Sequence, residues 1–283
     1  MTTQLPIGVC GWCIDRYDPR GSIQVAGRDL GLRVVQIGFF TQDSVRDANA
    51  AAIVEAARAA DATLVGAFVA FEGENYSSIT RIAETGGFMP DEAYAPRSAV
   101  TRSVANLAAA AGCPSLSVHA GTIPTDASSA AYAKLLVRLR EVADIASQCG
   151  LRLLLETGRE SADALLRFID TADRSNVGVS FDPGNFIIYG TDDPVAAVTK
   201  LRDRIELVHI KDAVRSSRPG VDYGRPAPVG AGDVQVARVV SKLRATGYRG
   251  PLLVECDTRE AGLDAIRNAA DYLRTLFGQH RVS

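Results

Sequence analysis

The fold is decided by a strand–helix–strand stretch at residues 151–182, which reads LRLLLETGRESADALLRFIDTADRSNVGVSFD. Leu151–Glu156 and Val177–Asp182 are short apolar runs of the kind found in buried parallel strands. Between them, Ser161–Ala172 has the apolar spacing of an amphipathic helix. Two apolar strands joined by a helix predict a parallel βαβ unit.

The same unit recurs along the chain. Apolar, β-branched runs predict eight strands, at Ile7–Cys13, Val34–Phe39, Thr63–Phe71, Leu116–His119, Leu151–Glu156, Val177–Asp182, Leu207–Ile210 and Leu252–Glu255. Ala-rich amphipathic stretches predict helices at Val45–Ala60, Ser98–Ala111, Ala130–Cys149, Ser161–Ala172, Pro194–Arg202, Val234–Thr246 and Ala261–Phe277. Gly112, Gly150 and Gly247 end three of these helices just before the next strand.

Eight alternating strands and helices predict an α/β protein with a single (β/α)8 TIM barrel. The 283 residues are close to the roughly 250 that such a barrel uses. No linker or low-complexity segment divides the chain, so we expect one domain over residues 1–283. An open doubly wound sheet is the alternative architecture. Two connections are long, Glu72–Arg97 and Lys211–Asp233, and both follow a strand on the face where barrel enzymes carry their sites.

Composition gives no reason to expect a nucleic-acid or membrane partner. The chain has 31 basic and 33 acidic residues, and the basic ones are scattered rather than clustered. No secretory signal precedes the first strand, and no apolar run is long enough for a membrane span. Five cysteines, an odd number in a large chain, indicate reduced thiols and a cytoplasmic protein. Cys10-Gly-Trp-Cys13 has redox-pair spacing, but we expect it to lead into a Pro/Gly-containing loop, Asp15–Gly21, where thioredoxin-like folds begin a helix.

Ionisable residues stand at the ends of four consecutive predicted strands: Glu156, Asp182, His209 and Glu255. Ending a buried strand in a charge is costly unless the charge is paired or coordinated. Neighbouring barrel strands lie about 5 Å apart, so these side chains can converge. Three carboxylates and one imidazole suit a divalent ion, with Mn²⁺ expected first and Mg²⁺, Co²⁺ or Zn²⁺ as alternatives. A polar network without metal is the competing interpretation.

The residues at these strand ends carry a resemblance. The motifs are Leu-Leu-Leu-Glu156-Thr-Gly, Phe-Asp182-Pro-Gly-Asn185, Val-His209-Ile-Lys-Asp212 and Leu-Val-Glu255, together with the Gly-rich turn Val229-Gly-Ala-Gly-Asp233. The set resembles the xylose isomerase-like barrel superfamily, and within it the sugar phosphate isomerase/epimerase group that includes D-tagatose 3-epimerase and inosose dehydratase relatives. The resemblance implies that Glu156, Asp182, His209 and Glu255 bind the metal. It also implies that Glu156 and Glu255 move protons at neighbouring sugar carbons.

Four further residues are candidates for substrate binding. Asn185 stands where ketose epimerases usually have a substrate-contacting histidine, and an amide does not titrate near neutrality. His119 ends the strand beside that of Glu156, and Lys211 shares the inward side of its strand with His209. Trp12, the only tryptophan, ends the first strand, where it can stack on a sugar or pack in the core.

The leading hypothesis is a divalent-metal-dependent isomerase or epimerase of a small sugar, cyclitol or keto sugar. A metal that bridges a carbonyl and an adjacent hydroxyl acidifies the C–H between them, and a carboxylate can take the proton. A carbon–oxygen lyase using the same site is the alternative. We retain it because Asn185 replaces the histidine that is usual in ketose epimerases. Metal-dependent endonucleases share the superfamily fold but need several histidines, of which this chain has three in all. A sugar-binding barrel without catalysis is the remaining class. Homo-oligomerisation stays open.

Overall fold

The computed structural model describes residues 5–46, 48–256 and 262–278. Ten strands are assigned in this part of the chain: β1 Ile7–Cys10, β2 Val34–Phe39, β3 Thr63–Val69, β4 Ser115–Val118, β5 Arg152–Glu156, β6 Val177–Phe181, β7 Ile205–Ile210, β8 Asp212–Val214, β9 Arg225–Ala227 and β10 Leu252–Val254. The helices are α1 Pro19–Arg28, α2 Gln42–Arg46, α3 Ala50–Ala59, α4 Ile79–Thr85, α5 Asp91–Ala110, α6 Ala130–Gln148, α7 Ala162–Ala172, α8 Pro183–Tyr189, α9 Pro194–Leu201, α10 Val236–Ala245 and α11 Leu263–Leu276.

Eight of the strands form a closed parallel barrel. Around the barrel the neighbours run β1, β10, β7, β6, β5, β4, β3, β2 and back to β1. The strand interiors are almost entirely buried because helices cover the outside and side chains fill the inside. The prediction of a (β/α)8 barrel is therefore confirmed, and the open doubly wound sheet is wrong.

Helix α7 shows how local sequence sets an element. The Ser161 hydroxyl accepts a hydrogen bond from the Ala164 backbone N–H and so caps the first turn. Leu165, Phe168 and Ile169 lie on one face and are buried, and the helix ends where Asp173 adopts a left-handed conformation. The predicted and observed bounds agree to one residue. No helix in the described residues is long and apolar enough to cross a membrane.

Several predicted boundaries are wrong in instructive ways. The first strand ends at Cys10, because Gly11–Cys13 forms a 3₁₀ turn. The loop expected from Asp15 gives way to helix α1, which begins at Pro19 with the Asp18 side chain as its cap. The single helix predicted at Val45–Ala60 is two helices, α2 and α3. The predicted third strand is also two residues too long.

Both long connections have structure of their own on the carboxyl-terminal face. The third contains α4 and the first turns of α5, and the seventh contains an antiparallel hairpin of β8 and β9. Buried Asp212 organises the seventh, because its carboxylate accepts hydrogen bonds from the backbone N–H groups of Gly230, Gly232 and Val234. These bonds hold the Gly-rich turn close to the end of β7, because Asp212 is the residue that follows Lys211.

Candidate metal centre

Four side chains from adjacent barrel strands meet at the carboxyl-terminal face. Glu156 ends β5, Asp182 follows β6, His209 lies in β7, and Glu255 follows β10. One ligand atom from each lies within 4.8 Å of the others. The structure therefore brings together all four residues that the sequence singled out, in a volume that one ion would occupy.

The tautomer of His209 is set by a hydrogen bond to Gln36 in the barrel interior. Nε2 lies 2.7 Å from Gln36 Oε1 and donates its hydrogen there, because the Gln36 amide nitrogen is used in a bond to Ser117 Oγ. Nδ1 then faces the carboxylates, 3.0 Å from Glu255 Oε2 and 3.7 Å from Glu156 Oε1. A histidine held in this way by one ring nitrogen presents the other as a metal ligand.

Two atoms at this point are buried without a hydrogen-bond partner among the described residues, His209 Nδ1 and Glu255 Oε2. Burial lowers the pKa of His209, but Cys10, Glu156 and Glu255 outweigh that effect and raise it. A proton on Nδ1 would still lack an acceptor in suitable geometry. A cation between Nδ1 and the two glutamates would satisfy all of these atoms, so the residues fit a metal ion.

Lys211 is the cationic side chain placed among these carboxylates. Its Nζ lies 2.9 Å from Asp182 Oδ2 and 2.6 Å from Glu255 Oε1. Burial opposes the charge of Lys211, yet Asp182, Glu255 and Glu156 raise its pKa well above the ordinary value. Burial also opposes ionisation of Glu255, but Lys211 and His209 lower its pKa. With His209 neutral, as a metal ligand must be, three ionised carboxylates and one ammonium leave two negative charges, the number that a divalent cation neutralises.

Asn185 connects the carboxylates from the first turn of α8. Its Nδ2 donates to Glu156 Oε1 at 3.0 Å and to the Thr157 carbonyl at 3.2 Å, and its Oδ1 accepts from Lys211 Nζ at 3.4 Å. Asn185 packs closely because Gly158 has φ of 129°, and a Cβ there would lie 2.1 Å from the Asn185 Cβ. Because its amide is used within the cluster, Asn185 orients Glu156. Its contact with substrate stays a prediction.

An aromatic wall closes one side of the centre. The Trp12 ring lies 5.1 Å from that of Phe68 and 5.6 Å from that of His209, and Phe68 contacts His119 edge-on at 5.7 Å. Burial lowers the pKa of His119, although Glu156 acts in the opposite direction. His119 Nε2 lies 3.7 Å from Glu156 Oε2. Such a surface suits the apolar face of a sugar ring.

Sequence reasoning missed Gln36, which supports His209 from the barrel interior. It comes from β2, while Ser117 and Ser180, also within reach of this network, come from β4 and β6. A signal was present, because Gln36 interrupts the apolar run of β2 and Ser117 that of β4. Cys10 also lies beside His209, and burial raises the pKa of its thiol to about 12. The thiol is thus protonated at neutral pH, as expected of a structural cysteine.

Comparison with known proteins gives a consistent result. The family model described as the xylose isomerase-like TIM barrel matches residues 25–276. A xylose isomerase domain protein from Planctomyces limnophilus is 32% identical, with a TM-score of 0.89 over 98% of this chain and 97% of that one. The D-allulose 3-epimerase from Methylomonas sp. has a TM-score of 0.70 at 19% identity, over 96% of this chain and 98% of that one. At that identity the likeness shows the fold alone.

A curated relative is similar over a shorter segment. The inosose dehydratase of Geobacillus kaustophilus is 28% identical over 141 residues, which are 44% of this chain and 46% of that protein. The chain therefore matches just under half the length of this relative.

Proposed function

Because the chain belongs to the xylose isomerase-like TIM barrel family, we propose that it is a divalent-metal-dependent isomerase or epimerase of a small sugar, cyclitol or keto sugar. The observation that carries the proposal is the His209 Nδ1 atom, buried without a partner and turned toward Glu156 and Glu255. An imidazole lone pair next to two carboxylates is unfavourable unless a cation lies between them. In a polar network without metal, Nδ1 would carry a proton 3.0 Å from Glu255 Oε2 without a well-aligned hydrogen bond to it, so we favour the metal.

The proposed ligands are Glu156, Asp182, His209 and Glu255, a mixed set of oxygen and nitrogen donors. Such a set suits Mn²⁺ best among the biological divalent ions, with Mg²⁺, Co²⁺ and Zn²⁺ as alternatives. When bound, the ion would polarise a substrate carbonyl and the hydroxyl next to it, which acidifies the C–H between them.

The proton is moved by the two glutamates in this proposal. Glu156 and Glu255 stand on β5 and β10, with β6 and β7 between them, and so face each other across the centre. The pKa of Glu255 is lowered by Lys211 and His209, and that of Glu156 by His119 and His209, each against the effect of burial. Both are therefore ionised at neutral pH and able to accept a proton. If one takes the proton from one face of a carbon and the other returns it from the opposite face, the carbon is epimerised.

The neighbouring residues would bind and orient the substrate. His119 can donate a hydrogen bond to a sugar oxygen, and Lys211 can stabilise a negative charge that develops on oxygen. Trp12 and Phe68 would stack on the apolar face of the ring. Asn185 would hold Glu156 in place through its amide.

A carbon–oxygen lyase is the second candidate, and the similarity to an inosose dehydratase favours it. Elimination begins with the same proton removal and differs only in the fate of the enolate. A group that protonates a departing hydroxyl is then needed. Lys211, with its ammonium at the centre, is placed for this role.

The test is solvent exchange at carbon. Metal-loaded protein is incubated in D₂O with ketoses, inososes and 3-keto glycosides, and the products are followed by NMR and mass spectrometry. An isomerase or epimerase places deuterium at a sugar carbon with molecular mass otherwise conserved, whereas a lyase loses water or an aglycone. Glu255→Gln serves as the control, because it keeps the shape but cannot accept the proton. If the protein instead hydrolyses an added phosphodiester and no deuterium enters carbon, both the isomerase and the lyase hypotheses are wrong.

A further inference from the structure

One buried arginine beside the centre forms no direct ion pair among the described residues. Arg159 follows β5, three residues after Glu156, and only 8% of it is exposed. Its Nη2 donates to the Tyr76 hydroxyl at 2.9 Å, but Nε and Nη1 are buried without a hydrogen-bond partner in the described residues. No described carboxylate oxygen lies within 4.0 Å of its guanidinium. A buried cation with unused donors is costly unless a ligand supplies the anion.

A second arginine in the same region shows what a structural role looks like. Arg97 is as buried as Arg159, with 6% exposed. Its guanidinium donates to the backbone carbonyls of Thr85, Gly87 and Glu72, and so fixes the third connection. Within the described part of the chain, Arg159 makes no bond of this kind to the backbone, so packing of the loop does not account for its burial.

Three tyrosines surround Arg159, and the two long connections supply two of them. Tyr76 comes from the third connection, Tyr189 ends α8, and Tyr223 comes from the seventh connection. The rings of Tyr189 and Tyr223 meet edge-on at 5.5 Å, and the charge of Arg159 acts on the pKa of each. The Tyr223 hydroxyl is also buried without a partner among the described residues. Tyr189 therefore lies between the two groups, since it shares a hydrogen bond with Arg159 and contacts the ring of Tyr223.

Arg159 also borders the proposed metal centre. It lines a small cavity together with His119, Glu156 and Glu160, and the rest of that lining is apolar or glycine. A molecule bound at Glu156 would therefore present one end to Arg159.

We propose that Arg159, assisted by the Tyr223 hydroxyl, binds the carboxylate of a sugar-acid substrate whose reacting carbon lies at Glu156 and Glu255. The inference rests on the proposed function and narrows its substrate to keto-sugar acids. The two oxygens of a planar carboxylate match two N–H groups of one guanidinium, and they need less room than the three oxygens of a phosphate. Neutral sugars would leave the buried charge without a partner.

The test compares three keto sugars of similar size as probes: D-fructose, 5-keto-D-gluconate and D-fructose 6-phosphate. Their affinities for the Mn²⁺-loaded protein are measured by calorimetry, together with deuterium exchange at carbon. The acid should bind about 10- to 100-fold more tightly than fructose, the range expected for hydrogen bonds to a charged group. Arg159→Gln should abolish this preference, Arg159→Lys should keep part of it, and Tyr223→Phe should reduce it.

The matched control is Arg152→Gln, at the opposite end of β5, where Arg152 pairs with Glu206. It should leave the preference unchanged. The inference is overturned if fructose or fructose 6-phosphate binds as tightly as the acid, if none of the three binds, or if folded Arg159→Gln keeps the preference. If Arg159→Gln does not fold, the inference is tested by Arg159→Lys and Tyr223→Phe, and an unchanged preference for the acid in both variants overturns it.

The binding preference and the exchange reaction separate this inference from the proposed function. If the acid is preferred through Arg159 but no carbon exchanges with solvent, the subsite stands and the proposed reaction fails. If a neutral ketose exchanges at the same rate in the parent and in Arg159→Gln, the reaction stands and the subsite is wrong.

Discussion

Replacing Gln36 by leucine tests whether the barrel interior prepares His209 to bind metal. Gln36 Oε1 is the acceptor 2.7 Å from His209 Nε2, and Ser180 Oγ, at 3.4 Å, is a more distant neighbour of the same nitrogen. Loss of a supporting partner of a metal-bound histidine lowers metal affinity by about 10- to 100-fold. That corresponds to about 1.4 to 2.7 kcal/mol of binding free energy. The buried Nε2–H left behind should cost about 1 to 3 kcal/mol of folding stability.

The affinity is measured by titrating dialysed protein with Mn²⁺ and following the free ion by electron paramagnetic resonance. The free energy of unfolding is measured separately in chelator, so that loss of metal and loss of fold are distinguished. Ser117→Ala is the matched control, because it removes only the acceptor for the Gln36 amide nitrogen and keeps the bond to His209. It should weaken binding less than Gln36→Leu. A folded Gln36→Leu protein that binds Mn²⁺ as tightly as the parent refutes the reasoning.

Three further changes probe the centre and the surface. Asp182→Asn keeps the cap on α8 but removes a negatively charged ligand. Metal analysis after dialysis should therefore find one ion per chain in the parent and far less in the variant. Equal metal content would exclude Asp182 as a ligand. Glu255→Gln should lower turnover much more than substrate affinity, because the amide cannot accept a proton; unchanged kcat would limit Glu255 to a structural role. The third change is Asp144→Asn, since a hydrogen bond from Arg174 lowers the pKa of Asp144 below 3.8. A depressed folded pKa stabilises the protein above the unfolded pKa, and this contribution is lost as pH falls through the folded value. Parent and variant should therefore differ in urea unfolding in neutral buffer and converge in strong acid, and a constant difference would contradict the assignment.

Much of the fold could be predicted because its determinants are local. Apolar β-branched runs predicted all eight barrel strands, and β2 was placed to the residue at both ends. Helix α1 was missed because a single Asp-Pro pair at Asp18 and Pro19 starts it, and a Pro/Gly-containing segment was interpreted as a loop. The hairpin of β8 and β9 was missed because three-residue strands have no detectable period.

The candidate centre was predicted for a different reason. Parallel barrel strands all end on one face, so a charge at the end of each of four adjacent strands must converge with the others. Alternation along β7 placed Lys211 on the same side as His209, and the structure has its ammonium between Asp182 and Glu255. The roles of these residues in binding and catalysis stay predictions for the experiments above.

The sequence by itself determined the order of strands and helices, the closed barrel and the four residues that meet at its mouth. Each of these follows from periods of two or 3.6 residues and from where an apolar run stops. Only the tertiary structure decided that Gln36 supports His209, 173 positions along the chain, and that Arg159 donates to Tyr76 of the third connection. These contacts cross the barrel or join separate connections. They depend on the stagger of the closed sheet and on the paths of its loops, which no local pattern encodes.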